Sequence, residues 1–271
     1  MSIIVVADNE VCAPIPARAT PKQTEMFRHK GKTRNLKHNL RIASLLSFVA
    51  GIVNVAGFLA VQRLTTNVTG HFAFFVDEIF KLNFWQGFIY FLYIFFFFLG
   101  SFVSSFLVEL MSGKNNRYIY VIPTVIESII LFSVAVFGQL LIAQNPNLLA
   151  FSLLFAMGLQ NSLVTTISNA TVRTTHLTGL FTDLGIELSQ LFFYKQKEQK
   201  SKLFSSIKLR ITIISFFFVG GIVGGIFYST FKLYVLAFAG TALFIGLIYD
   251  NLKLKLILIK RKTKTKKTKL T

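Results

Sequence analysis

The sequence is poor in cysteine and in acidic residues. Cys12 is its single cysteine, which excludes an intrachain disulfide and a thiolate metal cluster. It contains 11 acidic residues against 29 lysines and arginines, a formal net charge of +18. It also lacks HExxH motifs, nucleophile elbows and Cys/His ligand spacing. We therefore expect a protein that is not an enzyme and that has no cofactor and no metal site.

Apolar residues, in contrast, are abundant. They make up 53% of the chain, which includes 31 phenylalanines. Runs such as FIYFLYIFFFFLGSFVSSFL (residues 88–107) are too long and too apolar for a soluble surface. About 20 apolar residues in a helix cross the ~30 Å hydrocarbon core of a bilayer. We predict an all-α integral membrane protein with six transmembrane helices, at residues 42–62, 84–110, 119–142, 148–168, 208–230 and 233–250.

The basic residues flank these spans. Most lie in an N-terminal arm (1–41), in a basic loop near 190–208 and in a C-terminal tail (251–271). The positive-inside rule then places both termini in the cytoplasm. The tail begins amphipathically and ends as a cationic run, which is typical of a segment held at a membrane surface. We expect the arm and the tail to contact anionic lipids, and we do not expect specific nucleic-acid binding.

Short sequences recur in the two halves of the chain. TTNVTG at residues 65–70, the first threonine element, returns as TTHLTG at 174–179, the second threonine element. The tetrapeptides GIVN and GLQN precede them, ending at Asn54 and Asn161. In later spans, FFFLGSFVSS matches FFFVGGIVGG. Matches in the same order in different spans indicate a duplicated unit.

The repeating unit contains three spans, an odd number. Repeat 1 covers residues 42–142 and repeat 2 covers 148–250, so the second repeat must start on the opposite side of the membrane. We therefore predict two inverted repeats related by a pseudo-twofold axis in the membrane plane. The threonine elements would be broken or re-entrant segments after spans one and four, meeting near the midplane.

These elements supply most of the candidate binding residues. Thr69 and Thr178 are predicted to cap short helices that begin at Gly70 and Gly179, whose free N–H groups would bind an anion or a polar solute. The alternative is an ordinary loop with threonine and glycine as helix caps. For the asparagines in spans one and four, interhelical hydrogen bonding is an equally open alternative to substrate contact. The candidate substrate-binding residues are Asn54, Thr66, Asn67, Thr69, Gly70, Gln160, Asn161, Thr175, His176, Thr178, Gly179 and Asp183.

Glu127 falls well inside span three, where a charge is expensive. It should be protonated, paired or in a wet cavity, and proton coupling is one hypothesis for it. The glycines and serines of FFFLGSFVSS and FFFVGGIVGG have a different expected role. Their small-xxx-small spacing predicts faces on spans two and five where helix backbones approach closely.

The segments GIVNVAGFLAVQRLTTNVTGHF and QNSLVTTISNATVRTTHLTGLFTDLG resemble the YoaK family of bacterial inner-membrane proteins. Members of that family have six spans and an unknown function, and the resemblance covers roughly residues 40–250. It implies a multi-pass protein of the bacterial cytoplasmic membrane. An Asp is usual in that family where this chain has Asn54, and an Asn where it has His71.

Together these features favour a small secondary transporter or permease for an unknown small solute. Its site would form at the midplane where the two threonine elements converge. A channel of the same architecture is one alternative, and a non-transporting membrane scaffold that acts through its basic tail is another. The bilayer and its anionic lipids are expected partners, and a homo-oligomer is possible.

Overall fold

The computed structural model describes residues 36–112, 121–168 and 171–249, and every regular element in these ranges is helical. The basic tail and almost all of the basic arm, with Cys12, lie outside the described residues. The helices are α1 (Leu36–Val61), α2 (Val68–Phe80), α3 (Phe84–Ser112), α4 (Val121–Gln144), α5 (Pro146–Ser168), α6 (Leu177–Phe193) and α7 (Lys197–Phe231), followed by a 3₁₀ turn (Lys232–Tyr234) and a helix over residues 235–249, here α8.

Five helical stretches are long and apolar enough to cross a membrane: Asn39–Val61, Phe84–Met111, Val121–Gln144, Pro146–Ser168 and Lys197–Tyr249. The last has 53 residues and includes the 3₁₀ turn. Between these stretches lie α2 and α6, with 13 and 17 residues. They follow α1 and α5, where the sequence predicted broken segments. The fold is therefore that of a helical membrane protein.

Large apolar side chains cover the outside of the bundle. On α3, Phe98, Phe102 and Phe106 are 61%, 54% and 55% exposed. Consecutive rings of this row stack on one another, because residues four apart lie on the same face of a helix. A continuous apolar face of this kind is stable against lipid and unstable against water.

Helices α1 and α7 run in the same direction and pack closely through glycine. Gly51 lies against the Phe217 carbonyl group, and Gly220 lies against the Phe48 carbonyl group. A Cβ atom added at either glycine would overlap the opposing backbone oxygen. Only glycine permits this approach of the two backbones.

Helices α3 and α5 repeat this arrangement. Gly158 lies against the Phe97 carbonyl group, and Gly100 lies against the Phe155 carbonyl group. The hydroxyl group of Ser101 donates to the Gly158 carbonyl oxygen at 3.1 Å. The prediction that the small-residue ladders are helix-packing faces is confirmed at these positions.

The chain reverses through short links. Gln62, Leu82 and Lys232 each have a positive φ, of 54°, 58° and 50°, a backbone conformation uncommon for residues other than glycine. Between α4 and α5, the helix ends at Gln144 and restarts at Pro146, a residue well suited to the first position of a helix. Helix α7 begins at Lys197, within the basic loop expected near residues 190–208. Much of that predicted loop is therefore the first part of α7.

Candidate functional site

The first threonine element folds back along α1. After α1 ends at Val61, the Thr65 hydroxyl group donates to the Val53 carbonyl oxygen at 3.1 Å, and the Thr66 hydroxyl group donates to Asn54 Oδ1 at 2.7 Å. Both threonines are buried. Val53 lies about 12 Å before the end of α1 at 1.5 Å per residue, so the element returns well into the bundle.

The second threonine element makes equivalent contacts with α5. Asn161 Nδ2 donates to Thr175 Oγ1, as Thr66 bonds to Asn54 in the first element. The neighbouring Gln160 is fully buried, and its Nε2 donates to Thr174 Oγ1 at 3.1 Å and to the Leu46 carbonyl oxygen of α1 at 2.9 Å. Each asparagine therefore fixes the threonine element that follows its own helix.

The two elements reach the same central part of α1. The first bonds to it at Val53, and the second reaches it through Gln160 at Leu46. These positions are two helical turns apart, about 10 Å along the axis. No hydrogen bond joins residues 65–70 directly to residues 174–179. The first element is thus linked to α1 directly and the second through Gln160, and their predicted meeting near the midplane stays a prediction.

The helix caps differ from the prediction. The residue before α2 is Asn67, whose Oδ1 accepts from the Gly70 N–H at 3.2 Å. The residue before α6 is His176, which makes no side-chain cap bond. Thr69 and Thr178 lie in the first helical turns and are exposed. The prediction that they cap the helices is wrong, because Asn67 is a strong cap two residues earlier and the second element has no equivalent asparagine.

Aromatic rings fill the space beside the first element. His71 Nε2 lies 2.6 Å from the Leu64 carbonyl oxygen, and its ring centre lies 4.8 Å from that of Tyr93. Burial lowers the pKa of the His71 imidazole, while its hydrogen bond to Leu64 opposes this shift. The Arg63 guanidinium group lies 5.5 Å from the centre of the Tyr90 ring, a cation–π contact.

A cavity with several polar side chains in its lining lies beside the second element. This α3–α5 cavity has a volume of about 440 Å³. Its serine pair, Ser105 and Ser162, share a hydrogen bond of 2.8 Å across the two helices. The residues that line it are Phe98, Ser101, Phe102, Ser105, Asn161, Ser162, Thr165, Thr166, Arg173 and His176.

A second cavity, the α6–α7 cavity of about 610 Å³, shares Arg173 and His176 with the first. On its α7 side, Arg210 bonds to Asp183 at 2.8 Å and to Glu187 at 2.9 Å. Asp183 thus belongs to an ion-pair network on the α6–α7 side. Gly179 also lines this cavity, and the His176 ring lies over it, where a Cβ atom would overlap the ring.

Glu127 lies apart from both cavities. It is completely buried on α4, and its two carboxylate oxygens have no hydrogen-bond partner within the described ranges. The same ranges contain no group of three His, Cys, Asp or Glu side chains that could hold a metal ion.

Sequence reasoning missed several residues of this site. Thr65 and Thr174, the first threonines of the two TT pairs, are completely buried, and the repeated doublet was the available signal. Arg173 directly precedes the second element and lines both cavities. A cation between a span and a threonine element was visible in the sequence, but only the fold places it at the cavities.

Apolar helices that surround serine, threonine and asparagine side chains define a helical membrane protein whose cavities contain polar side chains. The family model for proteins of unknown function, DUF1275, matches residues 42–249. The chain therefore belongs to the DUF1275 family. No curated protein and no solved structure matches the chain. The expected relation to an uncharacterised family is confirmed, and the matched residues 42–249 nearly equal the predicted range of 40–250. The narrower resemblance to YoaK stays a prediction.

Proposed function

We propose that the protein is a small secondary transporter or permease whose solute occupies the α3–α5 cavity. The observation that carries this proposal is the cavity itself. Between two helices able to cross a membrane, it gathers polar side chains, among them Asn161, Ser162 and Thr166, beside the cation Arg173. Polar groups at membrane depth are expensive unless they line a cavity or bind one another.

We propose six crossings in two inverted repeats. The stretch Lys197–Tyr249 would measure about 80 Å as one straight helix, more than twice the ~30 Å hydrocarbon core. The turn at Lys232–Tyr234 interrupts it, which supports two crossings. The contacts of Gly51 and Gly220 with α7 and α1 match those of Gly158 and Gly100 with α3 and α5, which supports the duplication.

The pairing of α1 with α7 and of α3 with α5 determines which helices would move together during transport. The first span of each repeat packs on the second span of the other repeat, so the sequence halves 42–142 and 148–250 are interlocked. An alternating-access motion would therefore displace α1, α6 and α7 as one unit against α2, α3 and α5. Aromatic rings fill the space at the first threonine element while cavities lie at the second, which supports a state open on one side.

We further propose a bacterial inner membrane location with both termini in the cytoplasm. The supporting feature is the distribution of basic residues along the sequence. In this orientation the α3–α5 cavity opens toward the cytoplasm. After replacement of Cys12, single cysteines at Asn83 and Gln199 should react with impermeant maleimides from opposite sides of the membrane. Reaction of both from one side would refute the orientation.

Glu127 remains a proposed coupling residue. Its complete burial supports a protonated carboxyl group, since an unpaired charge at membrane depth is costly. A proton gradient could then drive uptake through reversible protonation of this group. Transport with the same pH-gradient dependence in Glu127→Gln would exclude that role.

The function is tested by flux into proteoliposomes. Labelled phosphate, sulfate, acetate, an amino acid and a neutral sugar are offered to the wild type and to Thr166→Val, a change that removes one hydroxyl group from the cavity. The control is Ser133→Ala on α4, because among the described residues Ser133 bonds only within its own helix, to the Ile129 carbonyl oxygen. Saturable, gradient-driven uptake that falls in Thr166→Val alone supports a carrier.

Two other results decide against this proposal. Ohmic current through the same vesicles would indicate a channel of this architecture. A protein that moves none of these solutes, and whose cellular effect is lost when residues 253–271 are deleted, would be a membrane scaffold.

A further inference from the structure

Arg173 differs from the other cations around the two cavities. On the α6–α7 side, Arg210 is held by Asp183 and Glu187. Arg173, in contrast, has neither an ion pair nor a hydrogen bond to any residue in the described parts of the chain, and it lines both cavities. It is therefore a cation whose donors are available to a ligand.

An arginine also lies near the first threonine element, and it is occupied. Arg63, two residues before the first threonine element, lies over the Tyr90 ring. Arg173 directly precedes the second element, and serine and threonine side chains line the α3–α5 cavity beside it. The two halves thus use their arginines differently, one for internal packing and one facing a cavity.

The charges favour an anion on the α3–α5 side. Arg173 is the charged residue of that lining, which includes no acidic side chain. Asp183 and Arg210 line the other cavity, where they form an ion pair with each other. Asn161 and the hydroxyl groups of Thr165 and Thr166 lie on the α3–α5 side, close enough to one another to line a single space.

We propose that Arg173 binds the phosphate or carboxylate group of an anionic ligand in the α3–α5 cavity. The planar guanidinium group can give two parallel hydrogen bonds to such a group, and the hydroxyl groups of α5 complete its polar contacts. This proposal rests on the proposed function and names its substrate class. Phe98 and Phe102 form the outer wall and are exposed on the apolar surface, so the anionic group belongs either to a free solute or to a lipid headgroup.

Binding is measured with the full chain in phosphatidylcholine nanodiscs, by calorimetric titration with inorganic phosphate and with acetate at constant ionic strength. The variants are Arg173→Gln, Arg173→Lys and the control Lys202→Gln. Lys202 is also cationic, but it is highly exposed and pairs with Glu198, outside both cavities. A second arm counts retained phosphatidylglycerol by native mass spectrometry after purification from mixed lipid.

We expect phosphate or acetate affinity to fall roughly tenfold to hundredfold in Arg173→Gln, the range for loss of a charge-assisted hydrogen bond. Arg173→Lys should lose less, and Lys202→Gln should match the wild type. Retention of phosphatidylglycerol that depends on Arg173, without binding of either soluble anion, would assign the site to a lipid headgroup.

The proposal is overturned if neither arm depends on Arg173, or if Lys202→Gln has the same effect as Arg173→Gln. Because Arg173 lies in a loop and has no partner among the described residues, we expect its variants to fold, and a thermal unfolding profile checks this. Arg173-dependent binding without any flux would contradict the transporter function and support the anion site. Flux without Arg173-dependent binding would support the transporter function and contradict the anion site.

Discussion

At the scale of single residues, the repeated asparagines and threonines have a structural role, because they hydrogen-bond to one another inside the bundle. Asn54 and Asn161 each bond to the second threonine of the following TT doublet. The buried first threonines, Thr65 and Thr174, bond to a backbone carbonyl oxygen and to Gln160. These bonds replace water for groups that would otherwise be unsatisfied inside the bundle.

Thr174→Ala should therefore destabilise the protein much more than Thr178→Ala. Loss of Thr174 Oγ1 removes a hydrogen-bond acceptor from the buried Gln160 amide, and we expect a loss of about 1–3 kcal/mol. Thr178 is exposed, so its replacement should change stability by less than about 0.5 kcal/mol. The free energy of unfolding in an SDS titration measures both. Equal losses would mean that the buried contact does not stabilise the fold.

The sequence predicted these positions unevenly. The repeat identified Asn54 and Asn161 because a motif that recurs is visible without coordinates. The repeated threonine-rich turns that end in glycine predict caps at Thr69 and Thr178, whereas Asn67, a better hydrogen-bond acceptor at the N-cap, lies two residues before Thr69. Arg173 could not be singled out, since only tertiary structure separates a cation at a cavity from one in solvent.

At the scale of helices, glycine determines which faces meet. Four glycines of α1, α3, α5 and α7 lie directly against backbone carbonyl groups of the opposite helix. Gly225, on the same ladder of α7, is different, because an added Cβ atom would lie 3.5 Å from the Val55 side chain, an ordinary contact. The ladder therefore contains both essential and replaceable glycines.

We expect Gly158→Ala to separate α3 from α5 and to reduce stability by about 1–3 kcal/mol or more, as overpacking of a close contact does. Gly225→Ala should be neutral or slightly stabilising, because alanine favours helix over glycine by roughly 1 kcal/mol. Unfolding in SDS and the thermal midpoint in detergent report both variants. Tolerance of alanine at Gly158 would contradict the close approach of the backbones.

Helix positions were largely predictable. Long apolar runs predicted the positions of the long helices to within a few residues at most ends, because length and hydropathy suffice for that purpose. The beginning of α7 was missed, since Lys197–Lys208 is polar and a hydropathy pattern cannot tell a solvated helix from a loop. Helix α7 continues past the apolar region and packs there against α6 through Arg210 and Ser206.

At the scale of the whole molecule, the pairing of α1 with α7 and of α3 with α5 was not predictable. Hydrophobic periodicity indicates that a helix has a buried face, but it does not indicate which other helix covers that face. The small-residue ladders marked the contact surfaces on α3 and α7, and their partners became known only from the fold. The proposed alternating-access motion therefore follows this exchange of helix partners between the two sequence halves, with α1, α6 and α7 moving together.

A disulfide tests the exchange. In a protein without Cys12, Val55→Cys with Gly225→Cys should cross-link α1 to α7, because a Cβ atom at residue 225 lies 3.5 Å from Val55 Cγ1. A specific protease site inserted after Lys195, in the exposed link before α7, then separates the two fragments. Without reductant they should migrate as one band, and with reductant as two.

The control pair is Val55→Cys with Ile222→Cys, because Ile222 is 61% exposed and faces away from α1. Fragments that separate without reductant in the first pair, or that stay joined in the control, would show that α1 does not pack on α7 in this way.

The exchange of helix partners between the two sequence halves also has a consequence for how the protein is made. The ribosome synthesises α1 long before α7, so the glycine face of α1 around Gly51 has no backbone to meet until most of the chain has entered the bilayer. Domains commonly fold in order during synthesis, but here the earliest helix completes its contacts among the last. We therefore expect the nascent first half to stay incompletely packed until α7 is inserted.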